Sequence, residues 1–477
     1  MRPCPDERVE MKRVVVVGGG LSGLSAAWWV DRSAREAGVG VALTVLEREP
    51  QAGGKIRSSR KGGYLCEAGP NGFLDNKPST IVLSRALGLG ERLLRSRDEA
   101  RKRFVFAGGR LRQLPEDPVS FLASDILSIR GKLRLAAEFL LPQGDPDEDE
   151  SVAAFVRRRL GEEALDRLID PMAAGIYAGD PETMSLRSSF PKVHQLEQRF
   201  GGLLRGMLEM RKMAAAAGAQ GPQSAGPGGV LWSYPEGLEE LVASLADGVG
   251  RERVRTGVAA EGMERVSRAW VVRTSDGEAV EADAVVLAVP AYDGARLLGP
   301  LDDRLADLLH AVPYVPAAVV CTGYPREGVP HPLDGFGFLV PKSEGRRILG
   351  SLWSSSIFAR RSPAGRVLLT QIVGGARNPE LVGLDDAGLV AVVREELRIT
   401  LGIEAEPEFV WIRRWDKAIP QYVVGHGDRL REIEKRVASL GGVFLAGNAF
   451  YGIGVNDCTA RAQELGPQVV ARLASAP

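Results

Sequence analysis

Several kinds of chemistry are excluded by what this 477-residue chain has little of. It carries four cysteines, Cys4, Cys66, Cys321 and Cys458, scattered and with no CxxC pair. That spacing gives neither a disulfide framework nor a zinc site, and it fits a reduced, cytosolic compartment. The four histidines, His194, His310, His331 and His426, include no HxH or HExxH, so no metal is expected. Charge of one sign is missing too: 61 lysines and arginines balance 61 aspartates and glutamates. Nothing there suggests a nucleic-acid partner. Nor is there a long hydrophobic run. The uncharged stretch 14–30 falls short of the ~20 apolar residues of a membrane span and is broken by glycines. Residues 1–10 lack an apolar h-region and read as a frayed leader, not a secretion signal, with Met11 an alternative start. No Ser/His/Asp array and no paired carboxylates stand out, so no side chain is expected to be an essential catalytic base.

Glycine, by contrast, is plentiful at 57 residues, and its placement organises the chain. Val14-Val15-Val16-Val17 reads as a buried parallel strand. Gly18, Gly19, Gly20, Leu21, Ser22 and Gly23 follow at once as a GxGxxG turn, and an Ala-rich helix is predicted over 24–37. A second strand over 41–46 ends in Glu47. Strand, glycine turn and helix N-terminus form a pyrophosphate cradle, and the acid accepts hydrogen bonds from an adenosine ribose. A carboxylate there repels a 2′-phosphate, which favours FAD or NAD over NADP. A second glycine-rich segment, Gly53-Gly54 and then Gly69-Pro70-Asn71, separates the two. NAD domains do not need one, whereas two-domain flavoproteins use it along the ribityl chain.

Residues 75–210 read mainly as helices, at 78–87, 129–141, 152–160 and 163–172. Within them, Arg101-Lys102-Arg103 precedes an aromatic hairpin strand at 104–106. A guanidinium beside aromatics suits a flat, carboxylated substrate, although three adjacent charges are as readily a solvated face. The stretch 213–229 is low-complexity and reads as a mobile loop. The apolar run 282–290 returns the chain to the first sheet. Strands at 315–324, 335–341, 347–353 and 367–373 build a second sheet that roofs a pocket. A last short strand at 442–447 leads through a glycine-dense stretch into a helix from about Thr459 to Leu473, capped by Asn456 or Asp457. Its positive end, aimed at an isoalloxazine, would stabilise the anion formed on reduction.

From Val14 to the last helix the chain resembles the protoporphyrinogen oxidases of the amine-oxidase-like flavoproteins. The segments that carry the likeness are 174–181, 335–341, 373–378, 419–422 and 447–458. The resemblance implies an α/β, two-domain flavoprotein. It has a Rossmann-like FAD domain (11–75, 231–290 and 440–475), a mixed-sheet substrate domain (76–117 and 291–439) and an inserted helical, membrane-associating region (118–210). It places FAD contacts on Gly18 to Gly23, Glu47, Arg48, Gly54, Arg57, Gly69, Pro70, Asn71, Val258, Trp415, Ile453, Gly454 and Val455. It places substrate contacts on Arg103, which pairs with a propionate, on Gly175, and on Leu339, Leu352 and Ile372, which sandwich the macrocycle. Plant relatives carry an aromatic at position 372; here ring stacking on that face is expected either to be weaker or to be supplied by Phe338 or Trp353. The implied reaction is a six-electron oxidation of protoporphyrinogen by FAD and oxygen, releasing hydrogen peroxide. Coproporphyrinogen oxidation is the near alternative and a non-catalytic porphyrin carrier the distant one. A peripheral contact with the cytoplasmic membrane is implied, with Phe121, Leu122, Ile126 and Leu127 as candidates, although core packing of the same residues is at least as good a reading; a homodimer is compatible with it.

Overall fold

The computed structural model describes residues 11–213 and 229–475, with the backbone of 214–216. The expected leader and most of the expected loop at 213–230 lie outside these residues; Met213 belongs to the helix Leu203–Ala216.

The first sheet is parallel throughout. Its order is Val254–Thr256, Val41–Glu47, Lys12–Val17, Ala284–Leu287, Val443–Leu445. The central strand must be apolar on both faces, because each face is covered. Val14 and Val16 enter one core with the helices Leu21–Glu36, Glu239–Val249 and Val455–Ser475. Val15 and Val17 enter a second core with the antiparallel meander that spans Ala260–Val266, Ala269–Thr274 and Ala279–Ala282. Two expected boundaries therefore shift. The helix Ser79–Ala86 joins the first core through Leu83. Helices Ala291–Leu298, Asp303–His310 and His426–Leu440, expected in the substrate half, pack on the second face of the parallel sheet.

The second sheet has seven strands. Their order is Phe409–Pro420, Tyr314–Pro325, Arg366–Gly374, Ile348–Leu352, Gly337–Leu339, Phe104–Ala107, Arg110–Gln113. Only the pair Gly337–Leu339 and Phe104–Ala107 is parallel. Strand Phe409–Pro420 escapes the sequence reading, because its arginines and lysine break the apolar alternation.

The helical insert is pinned by a buried ion network. Arg159 and Glu138 are both fully buried and paired. Arg159 also donates to the carbonyls of Leu141, Pro142 and Gly201, and Glu138 accepts the backbone amides of Leu203 and Leu204. The helix expected at 163–172 runs on to Tyr177 through a wide π-turn, Leu165–Ile169, followed by Asp170–Tyr177. Pro171 has no N–H with which to continue the ordinary ladder. Among the described residues no helix is long and apolar enough to cross a membrane, and no group of side chains could hold a metal ion.

Candidate active site

The cradle starts at Gly18, whose φ of 102° belongs to glycine. The helix begins at Leu21, three residues before the expected start, with Gly20 as its N-cap. It has no side-chain cap and no acid in its first turn, so its leading amides and positive end remain available to an anion. A Cβ on Gly23 would overlap the Gly18 carbonyl oxygen and come within 3.2 Å of Ala288 Cβ. The Glu47 carboxylate is buried beside this turn, accepting the amides of Gly19 at 2.7 Å and Glu49 at 2.9 Å. Val258 donates its amide to the Glu47 carbonyl at 2.9 Å, which puts it at the same corner. Gly53 bridges to Gly20, and a Cβ on Gly54 would lie 3.1 Å from Gly20 Cα. Arg48 and Arg57 stand close by but are otherwise engaged. Arg48 pairs with Asp293 at 3.0 Å, and Arg57 folds back onto the carbonyls of Gln51 and Ala52. An uncapped helix start, a turn with no room for side chains and a carboxylate at the end of the second strand fit the pyrophosphate and ribose of FAD.

The two halves are stitched together at the Gly69-Pro70-Asn71 turn. A Cβ on Gly69 would come within 2.8 Å of the Lys55 carbonyl oxygen, and Trp415 Nε1 donates to the Ala68 carbonyl at 2.7 Å. Lys55, absent from the sequence-based set, donates to the carbonyls of Lys417 at 2.6 Å and of Ala418. Burial, with Arg48 nearby, lowers its pKa to about 8. Its position directly after the glycine doublet is the signal that could have marked it.

The last helix begins at Val455, not near Thr459. Asn456 is consequently inside its first turn. It accepts from the Thr80 hydroxyl at 2.6 Å and donates to the Leu74 carbonyl at 2.6 Å, and it does not act as an N-cap. Asp457 takes the Gly454 amide at 3.0 Å. The first and last helices pack side by side: a Cβ on Gly466 would come within 2.7 Å of the Trp29 carbonyl oxygen, and the Cys458 thiol meets Ser22. Ile453, Gly454 and Val455 thus face the glycine turn's end of the molecule. Tyr422, also missed although it closes the 419–422 segment, holds their lead-in. Its hydroxyl donates to the Asn448 carbonyl at 2.7 Å and accepts the Gly452 amide at 2.8 Å.

Tyr422 stacks on His426 at 4.1 Å between ring centroids. Burial, then Arg429, pushes His426 down to about 4 from the ordinary 6.5. The neutral ring is favoured in the fold, so its stabilisation is complete above pH 6.5 and is lost as pH falls through about 4. Over that window the unfolding free energy is expected to drop by up to about 3 kcal/mol. A His426→Phe variant should flatten the slope in urea unfolding followed at several pH values.

On the second sheet, register decides which residues share a face. Leu339 pairs with Gly350, Gly350 with Ile372, and Ile372 with Val319. One rung further along the same side, Leu352 pairs with Thr370, and Thr370 with Cys321. Leu339, Leu352 and Ile372 therefore lie on one face, and all three are only half-buried. Trp415, opposite Ala317 in the same parity, joins them. Gly175 packs against this group, since a Cβ there would come within 2.6 Å of Leu339 Cδ2. Phe338 and Trp353 do not supply the expected ring. Phe338 pairs with Ser351 on the opposite parity, and both aromatics are buried in the core behind the sheet. At the edge, Arg103 lies 5.5 Å above the Phe336 ring, and Phe336 packs in the same small cluster as Leu352.

The flavin-containing amine oxidoreductase family matches residues 21–464. The Bacillus subtilis (strain 168) coproporphyrinogen III oxidase is 31% identical, over 94% of this chain and 95% of its own. The rice chloroplast protoporphyrinogen oxidase is 35% identical, over 95% of this chain and 87% of its own. The solved structure of an Exiguobacterium sp. 255-15 protein, ascribed protoporphyrinogen oxidase activity, superimposes with a TM-score of 0.81 at 28% identity. It covers 96% of this chain and 99% of that one. The chain is an FAD-dependent oxidase and belongs to the flavin-containing amine oxidoreductases, alongside the protoporphyrinogen and coproporphyrinogen oxidases.

Proposed function

We propose that the chain oxidises protoporphyrinogen IX to protoporphyrin IX, removing six hydrogens in pairs, with each pair reducing one oxygen molecule to hydrogen peroxide. The observation that carries this reading is a half-buried apolar face with a lone guanidinium at its edge. Among the described residues the Arg103 guanidinium has no hydrogen-bond or ion-pair partner; burial lowers its pKa, and Glu116 only partly opposes this. A half-buried, unpaired cation is costly and invites a carboxylate.

Bound FAD supplies the hydride-accepting chemistry. This chain's part is placement. Leu339, Leu352 and Ile372 hold the flat macrocycle and keep water from it, and Gly175 lets Leu339 pack closely against the helix Asp170–Tyr177. Arg103 fixes one propionate and so sets the ring's rotation. None of the four histidines belongs to that face: His331 packs against Trp353 behind the sheet, and His426 under Tyr422. Proton loss from a pyrrole is assigned to solvent.

Arg103→Ala is expected to raise KM by about 10–100-fold, the worth of one charged hydrogen bond. kcat should stay near that of the parent, as read in steady-state fluorescence of the product. The reading itself is tested by anaerobic titration with protoporphyrinogen, which should bleach the flavin absorbance. A flavin that protoporphyrinogen never reduces would overturn it. The Bacillus relative's name favours a second substrate, coproporphyrinogen III, whose four carboxylates would need further cations. Comparing turnover on the two porphyrinogens decides between them.

The reading extends to a peripheral contact of the helical insert with the cytoplasmic membrane. Its support differs from the residues first expected. Ile126 and Leu127 are buried in a small core shared with Val105 and Ala107 of the second sheet, with Phe121 packed against it. Ile129, Val119 and Leu140 stand 78%, 77% and 86% exposed, and Leu122 and Leu133 are exposed with them. Flotation with anionic liposomes should recover the protein in the lipid fraction, and Leu140→Asp with Ile129→Asp should abolish that recovery.

A further inference from the structure

The connection between strands Ile348–Leu352 and Arg366–Gly374 walls a second pocket, of about 320 Å³, at the lower end of the range for small-molecule sites. It wraps the end of strand Arg366–Gly374, with Arg366 in the parity of Ile372 and Val367 in the other. Val367 belongs to the core that holds Phe338 and Trp353. Five arginines line it, Arg97, Arg326, Arg360, Arg361 and Arg366, together with the serines Ser355, Ser356 and Ser362. No carboxylate lines it.

The charges do not cancel. Arg366 is paired with Glu408 at 2.7 Å, and Arg361 lies 3.4 Å from Glu67. Arg97 donates only to the Ser355 carbonyl, and Arg326 only to the carbonyls of Val329 and His331. These acceptors carry no charge. The Arg360 guanidinium has no partner among the described residues. Arg361 is 3% exposed; its NH2 donates to the Ser233 hydroxyl at 2.8 Å, and its NH1 is the atom 3.4 Å from Glu67, too far for a good hydrogen bond. Three guanidiniums that share one pocket with no carboxylate of their own repel one another until an anion joins them.

We propose that this pocket binds a small, free, diphosphate-type polyanion, which would bring oxygens to Arg361 and to the three arginines that lack a carboxylate. The site is separate from the FAD cradle and does not depend on which porphyrinogen the enzyme oxidises.

The test uses FAD-loaded enzyme, in which the cofactor's own pyrophosphate blocks the glycine cradle. Inorganic diphosphate is titrated calorimetrically at constant ionic strength. Saturable binding of one equivalent is expected, weakened by about tenfold or more in Arg97→Glu/Arg360→Glu, the loss of at least one charged contact. Both side chains are exposed, so FAD content and porphyrinogen turnover should be unchanged. Arg361→Gln should weaken binding independently. The proposal is overturned by non-saturable heats, or by equal affinity in parent and variants. Binding to phosphatidate vesicles without binding of free diphosphate would overturn it too, since it would assign the arginines to a lipid headgroup.

Discussion

Replacing Gly23 by alanine is expected to give a protein that purifies without its yellow colour. The added carbon has nowhere to go: the Gly18 carbonyl oxygen occupies its place, with Ala288 Cβ 3.2 Å away. To make room, the helix Leu21–Glu36 must lift off the strand Lys12–Val17, and its N-terminal amides move with it. An overpacked site of this kind typically costs 1–3 kcal/mol, sometimes more. Because the displaced amides are those aimed at the pyrophosphate, the cost falls on the bound state, and FAD affinity should fall by about 10–100-fold. Flavin absorbance per protein and fluorimetric FAD titration of the apoprotein measure it. Gly383→Ala is the control, since a Cβ there meets nothing within 4 Å. It should retain full flavin. Equal occupancy in the two variants would mean that the close packing at Gly23 does not govern the cradle.

The second large effect is expected in the insert. Arg159→Leu removes a fully buried guanidinium and strands the Glu138 carboxylate beside it. Breaking a buried pair from one side costs about 3–5 kcal/mol, because the remaining charge keeps its desolvation penalty without its partner. Glu138 also holds the first amides of the helix Leu203–Ala216, so that helix should loosen with it. Urea unfolding followed by circular dichroism should show the loss. The double variant Arg159→Met/Glu138→Gln should recover part of it, because no charge is left stranded. A double variant as damaged as the single one would show that lost packing, and not the unpaired carboxylate, dominates.

Much of this arrangement is legible in the residues, and the parts that are not share a physical cause. The valines before Gly18 and the glycine spacing are local signals: a strand covered on both faces and a turn pressed against a helix leave few alternatives. Glu47 was readable for the same reason. Residue parity in the second sheet was not. Phe338 is one position from Leu339, and only the pairing with Ile348–Leu352 reveals that it faces the opposite core. Ile126 and Leu127 match Leu122 in composition, and their burial depends on partners as distant as Val105 and Ala164. Helix starts were read late at both Leu21 and Val455, because glycine and asparagine there suggested a turn, whereas close packing lets them open a helix. Lys55 and Tyr422 act through carbonyls and amides far away in sequence, and composition carries no trace of that.

The adjacency of the helices Leu21–Glu36 and Val455–Ser475 has a consequence for biogenesis. The segment that opens the nucleotide site is synthesised well before the segment that completes it. Until that later helix is made, a nascent chain has no finished pocket in which to capture its vitamin-derived cofactor. Chains that terminate before it would lack the element that completes the pocket and are expected to purify free of flavin.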